Sequence, residues 1–213
     1  MHHDIILFDL DGTLTDSGPG IMKAGQYALR AFGIERDWRE LSFFVGPPLS
    51  ETFARFVSAE NVDAAVAKFR EYYQQDGWLD NAPYPGIPEL LERLRQAGVQ
   101  TAVFSNKADA LAREVVADYF GADTFAAVRG QRTGVAPKPA PEGTRALMAS
   151  LGADPASTLY VGDSNVDVQT AHNAGLPCCG VLWGFRTREE LTEAGAEHLA
   201  ADADELYRVI LEG

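Results

Sequence analysis

The chain has 213 residues, 46% hydrophobic and 23% charged, with 18 Lys+Arg against 31 Asp+Glu for a formal net charge of −13. These values fit a folded globular chain of one large domain, or of a core with a smaller companion, and exclude disordered and fibrous classes. So acidic a chain is poorly suited to duplex DNA or an anionic membrane face, which are bound mainly through Lys/Arg contacts to many phosphates, but it can still take a small anion held beside a metal.

The first residues, Met1-His2-His3-Asp4, lack the basic, apolar and small-residue regions of a secretory signal. No apolar run approaches the roughly 20 residues of a membrane-spanning helix. The only cysteines, Cys178 and Cys179, are adjacent and too few for a disulfide framework, which favours a reducing compartment; the expected location is the cytoplasm.

In chain order, Ile5-Ile6-Leu7-Phe8 is a short apolar run ending in Asp9, the profile of a buried parallel strand. From Ser17 to about Tyr84 the pattern is helical: Pro19 to Phe32, Leu49 to Val57 and Val62 to Gln75, with Val66, Phe69 and Tyr73 at helical spacing. No strand pattern interrupts this stretch. Its 7 basic and 9 acidic residues leave most of the negative charge to the rest of the chain. Beyond it, strand-like runs recur at Gln100 to Phe104, Thr158 to Val161 and Cys178 to Leu182. They alternate with helix-like segments Ile87 to Gln96, Ala108 to Tyr119, Pro141 to Ser150 and Val166 to Asn173, each closed by a glycine. Alternation of this kind predicts an α/β fold, a parallel, Rossmann-like sheet covered on both faces, with an all-helical domain inserted after the first strand. The expected division is 1–16 with 85–213 as the α/β core and 17–84 as the helical insertion, with hinges near Asp16-Ser17 and Ala82-Pro83.

In open α/β sheets ligands bind beyond the carboxyl ends of the strands. Asp9, Ser105-Asn106 and Gly162-Asp163 each follow a predicted strand, and Lys138 precedes a predicted helix. Asp9 and Asp11, two apart on extended backbone, would share a face. Clustered carboxylates repel, so gathering Asp9, Asp11, Asp163 and Asp167 suggests a bound divalent cation, and oxygen-only ligands point to Mg²⁺. A carboxylate can also attack phosphorus while a second acts as acid and base. Each element has a structural alternative: Asp11-Gly12 suits a tight turn, Ser105, Asn106, Asp163 and Asp167 suit helix starts, and Lys138 suits a solvated surface. His172 reads as a surface helix residue, and the two cysteines as buried strand positions.

Asp9-Leu10-Asp11-Gly12-Thr13-Leu14, Ser105-Asn106-Lys107, Lys138-Pro139 and Gly162-Asp163-Ser164-Asn165-Val166-Asp167 resemble the four ordered motifs of the haloacid dehalogenase-like phosphohydrolases, and the insertion sits where members with a helical C1 cap carry theirs. The resemblance implies a Mg²⁺-dependent phosphatase of small phosphate esters, with Asp9 as nucleophile and Asp11 as acid and base. By the same resemblance Ser105, the Asn106 backbone and Lys138 bind phosphate. It further implies that Asp9, the Asp11 backbone carbonyl and Asp163 hold the metal, with Asp167 binding it directly or through a water. Asp16-Ser17, Phe44-Val45-Gly46-Pro47-Pro48-Leu49, Tyr84-Pro85-Gly86, Gly184-Phe185-Arg186 and Ala194-Gly195-Ala196 resemble phosphoglycolate phosphatases and related 5'-nucleotidases. Phe69-Arg70-Glu71-Tyr72-Tyr73 leans to the nucleotidase branch, while Lys138-Pro139-Ala140-Pro141 and Gly162-Asp163-Ser164 lean to the phosphoglycolate branch. Substrate contacts are expected from Gly46-Pro47-Pro48, Met22 and Lys23. The alternatives are a phosphosugar mutase, disfavoured because 17–84 holds no histidine, and a non-catalytic binding protein keeping the fold. The expected partner is a small phosphate ester, not nucleic acid or membrane, and the expected assembly is a monomer or homodimer.

Overall fold

A computed structural model describes residues 3–45 and 49–212; His2 and Gly46-Pro47-Pro48 lie outside the described residues. The chain divides into two compact units, Met1–Thr15 with Pro83–Gly213, and Asp16–Ala82.

The first unit holds a six-stranded sheet. Its strands are β1 (Ile5–Phe8), β4 (Gln100–Ala108), β5 (Ala127–Gln131), β6 (Thr158–Gly162), β7 (Cys178–Val181) and β8 (His198–Ala200), in the order β5-β4-β1-β6-β7-β8, with every recorded pairing parallel. Two short strands, β2 (Thr15–Asp16) and β3 (Ala82–Pro83), pair where the chain passes between the units. Helices α4 (Ile87–Gln96), α5 (Asp109–Phe120), α6 (Pro141–Leu151), α7 (Asn165–Ala174), α8 (Arg188–Ala194) and α9 (Ala203–Glu212) complete this unit.

The apolar runs are buried on both faces, as parallel strands require. Leu7, Ala102, Phe104, Tyr160 and Cys178 pack with Leu147 and Met148 of α6, Val168 and Ala171 of α7 and Leu191 of α8. Their strand neighbours Ile6, Phe8, Val103, Leu159, Val161 and Cys179 alternate to the other face and are equally buried. Register decides where the site falls: Phe8 lies opposite both Val103 and Val161, and Asp9 N–H donates to the Val161 carbonyl at 2.9 Å. Asp9, Phe104-Ser105 and Gly162-Asp163 therefore lie at one level, toward the carboxyl edge of the sheet.

The second unit is helical: α1 (Gly18–Arg30), α2 (Leu49–Phe53) and α3 (Val62–Gln75), with short 3-10 turns. Its core is aromatic. Phe44 meets Phe53 edge-on at 5.0 Å, and Phe69 stacks with Tyr73 at 5.8 Å, geometries that add to plain area burial. Among the described residues no helix is long and apolar enough to cross a membrane.

Several element bounds differ from expectation. The second long strand continues through Ser105-Asn106-Lys107 to Ala108, so these residues lie on extended backbone rather than in a loop, and the following helix starts at Asp109. The helix predicted over Leu49 to Val57 stops at Phe53. The expected elements do not include strands β5 and β8 or helices α8 and α9.

Candidate active site

Lys138 is the centre of the candidate site. Its side chain is 4% exposed, and its ammonium lies 2.8 Å from Asp9 Oδ1, 2.6 Å from Asp167 Oδ1 and 3.2 Å from the Tyr160 hydroxyl. Burial pushes the lysine's pKa down, but the charges of Asp167 and Asp9 outweigh it and hold the group firmly as an ammonium. The surface alternative for Lys138 does not apply. Asn106 seats the loop that carries it: Lys138 N–H donates to Asn106 Oδ1 at 2.8 Å, and Asn106 Nδ2 donates back to the Lys138 carbonyl at 3.2 Å.

Asp9, Asp163 and Asp167, all buried, offer carboxylate oxygens within 4.8 Å of one another. Asp167 occupies the first turn of α7, where Ser164 forms a reciprocal cap with it. Its Oδ2 accepts from Ser164 Oγ at 2.6 Å and Ser164 N–H at 3.1 Å, while Oδ1 takes Lys138. Asp163 Oδ2 accepts from Phe185 N–H at 2.8 Å, and its Oδ1 from Thr13 Oγ1 at 3.4 Å. The backbone is built tightly around it. Gly12 has φ +86°, and a methyl group there would strike the Asp163 carboxyl; one at Gly184 would strike both Asp163 and the Gly12 carbonyl.

Three carboxylates against one ammonium leave an uncompensated negative charge in a buried place. Burial raises Asp9 to about 6, with Lys138 opposing and Asp167 adding to the rise. Burial, then the charges of Asp167 and Asp9, raise Asp163 to about 8. Such a donor set, all oxygen and in need of positive charge, fits a divalent hard cation.

Asp11 stands apart from the three. Its carboxylate, 24% exposed, is spanned by Lys107 Nζ at 2.8 Å to each oxygen. The shared face expected of Asp9 and Asp11 presumes that extended backbone continues past Phe8. Instead β1 ends there, and Leu10 to Thr15 form a turn in which Leu14 N–H donates to Leu10 O at 3.0 Å and Gly12 N–H to Thr15 O at 2.8 Å. Ser105, buried on β4, accepts Lys107 N–H on its hydroxyl at 3.2 Å.

Two participants escaped the sequence reading. Tyr160, fully buried on β6, donates to the Phe104 carbonyl and accepts from Lys138, each at 3.2 Å. Trp183, whose indole N–H donates to Thr13 O at 2.9 Å, begins the loop that reaches Asp163. Elsewhere, Lys23 on α1 is ion-paired with Asp80 at 2.5 Å, and His172 contacts Glu197 at 3.0 Å on the surface. The two cysteines are buried with thiol pKa values pushed up, chiefly by burial, which makes them inert.

The fold is a parallel α/β core that brings three acids and a lysine together at its carboxyl edge. Residues 6–181 match the family model described as haloacid dehalogenase-like hydrolase, and the chain belongs to that family. It is 36% identical to a 5'-nucleotidase of Pseudomonas aeruginosa over 96% of this chain and 94% of that one. It is 31% identical to a phosphoglycolate phosphatase of Aquifex aeolicus over 85% of each. The solved structure of Mycobacterium tuberculosis protein tyrosine kinase A, PtkA, is 31% identical with a TM-score of 0.85, over 98% of both chains.

Proposed function

We propose that this protein is a Mg²⁺-dependent phosphatase that cleaves a small phosphate monoester, phosphoglycolate-like or a nucleoside monophosphate, through an aspartyl-phosphate on Asp9. The observation that carries the reading is the buried Lys138 ion-paired to Asp9 inside the Asp9, Asp163, Asp167 cluster. Relatives named for hydrolysis of phosphoglycolate and of nucleotides support the substrate class.

Asp9, the Asp11 main-chain carbonyl and Asp163 would hold the ion, with Asp167, both of whose oxygens serve Lys138 and Ser164, adding its charge. When bound, Mg²⁺ supplies neutralising charge for the phosphoryl oxygens. In the first half-reaction an Asp9 oxygen bonds to phosphorus, the bond to the ester oxygen breaks, and that oxygen takes a proton from Asp11 and departs as the alcohol. In the second, Asp11 accepts a proton from water as the water oxygen bonds to phosphorus and the Asp9–phosphorus bond breaks. Inorganic phosphate leaves and both carboxyl groups return to their starting states. Lys138, with Ser105 and the Asn106 backbone, positions the phosphoryl oxygens and offsets their charge. The Asp16–Ala82 unit is read as the cap that selects the substrate.

The test is release of inorganic phosphate from p-nitrophenyl phosphate with Mg²⁺ present. Asp9→Asn removes the nucleophile and is expected to abolish turnover; turnover at the wild-type rate refutes the assignment. Comparing kcat/KM for phosphoglycolate, nucleoside monophosphates, sugar phosphates and pyrophosphate then fixes the substrate. Scoring the same reactions for phosphate passed to an added sugar or to tyrosine separates hydrolysis from transfer.

A further inference from the structure

Lys107 has no part in the scheme above, yet its side chain is as sheltered as that of Lys138, at 4% exposure. Its ammonium bridges both oxygens of Asp11 at 2.8 Å, an arrangement that fixes the plane and direction of the carboxylate. The backbone around it is fixed too. Lys107 lies on β4, and its N–H is bonded to the buried Ser105 hydroxyl at 3.2 Å. Asp11, by contrast, sits in a turn with its side chain partly exposed. Without a partner such a carboxylate would rotate among several rotamers.

We infer that Lys107 is a positioning residue that aims the Asp11 carboxyl at the leaving-group oxygen. The inference rests on the reading of Asp11 as the acid and base. Its consequence depends on the leaving group, because only a poor leaving group needs a well-aimed proton. General acid catalysis contributes 10²–10⁴-fold where it operates, and misalignment forfeits part of that. A nitrophenolate departs without a proton; an alkoxide does not.

The experiment compares kcat/KM, which reports steps up to departure of the alcohol, for p-nitrophenyl phosphate and for an alkyl phosphate such as β-glycerophosphate. Lys107→Met is expected to lower the alkyl value about 30-fold and the aryl value less than about 5-fold, a fraction of the full acid effect. Asp11→Asn should show the same bias more strongly, and adding Lys107→Met to it should leave that bias unchanged, since the inferred effect on proton transfer runs through that carboxyl. Lys107→Arg, which keeps a two-pronged donor, should recover most of the alkyl activity.

Equal loss on both substrates, a raised KM with kcat intact, or a multiplied bias in the double variant would overturn the inference. Absence of leaving-group bias in Asp11→Asn alone would instead show that the acid–base reading is wrong, and the inference falls with it. If thermal melting shows that the Met variant does not fold, Lys107→Gln is scored by the same criteria.

Discussion

Gly184→Ala tests how closely the loop after β7 is fitted to the acid cluster. A methyl group at Gly184 would overlap the Asp163 side chain and the Gly12 carbonyl together. Neither can yield cheaply: Asp163 is buried and held by Phe185 N–H, and Gly12 already occupies a positive-φ turn. The loop must lift, which costs the overpacking strain of roughly 1–3 kcal/mol, and lengthening the bond from Phe185 to the carboxylate adds about 1 kcal/mol. For a chain of this size a loss of about 2–4 kcal/mol lowers Tm by roughly 4–16 °C. Because Asp163 is a proposed ligand of the cation, its displacement should also weaken Mg²⁺ binding about 10- to 100-fold, the usual result of disturbing a ligand's support. Calorimetric titration with Mg²⁺ and thermal melting in EDTA read the two effects separately. A variant with Tm within 1–2 °C of the parent and twofold-unchanged Mg²⁺ affinity would show that this close contact does not constrain the site.

Other perturbations probe the remaining contacts. Mg²⁺ at 100 times its Kd should add about 2.7 kcal/mol of stability, raising Tm in differential scanning calorimetry, and Asp163→Asn should suppress that rise. Tyr160→Phe removes the hydroxyl that joins Lys138 to the Phe104 carbonyl inside the core, so urea unfolding should report a loss of about 1–3 kcal/mol. Asp109, at the start of α5, is pushed up by partial burial, but bonds from Arg132, Gly130 N–H and Arg113 outweigh this and hold its pKa at about 2. A carboxyl whose folded pKa lies below its unfolded value of 3.8 stabilises the protein above pH 4 and loses that contribution as pH falls toward 2. Asp109→Asn should therefore cost about 1–2 kcal/mol at pH 7, with the gap to the parent roughly halved by pH 3 in urea titrations; a gap independent of pH would refute the assignment.

What was legible in the sequence follows from what is local. The buried strands β1, β6 and β7 announce themselves as apolar runs because parallel sheets cover both faces. Helix α3 runs over the very residues, Val62–Gln75, that helical spacing marks. Strand β5 is invisible to this criterion because Val128 is its one buried residue. The three-residue β8 is too short for any pattern, whereas in α9 the four-residue spacing of Leu206 and Ile210 does mark a helix face. Polar Ser105-Asn106-Lys107 looks like loop, yet it is strand, because β4 keeps pairing with β5 beyond its apolar part.

The site divides along the same line. Asp9 and Asp163 could be read from sequence because each follows a strand whose end is marked, and parallel register then sets them at one level. The partners that give those acids their properties are set by tertiary placement. Tyr160 reaches Lys138 across 22 positions, Lys107 reaches Asp11 across 96, and Thr13 reaches Asp163 across 150. No local pattern encodes such pairs. They matter because each converts a residue type into a function: a lysine on the surface is a solvated charge, whereas Lys138, closed in by two carboxylates and a phenol, is a fixed positive charge beside the proposed nucleophile. The net charge of −13 takes its meaning from the same geometry. Acidic residues gathered at the sheet edge leave the site short of positive charge, and a donor set with that deficit suits the divalent cation proposed for it.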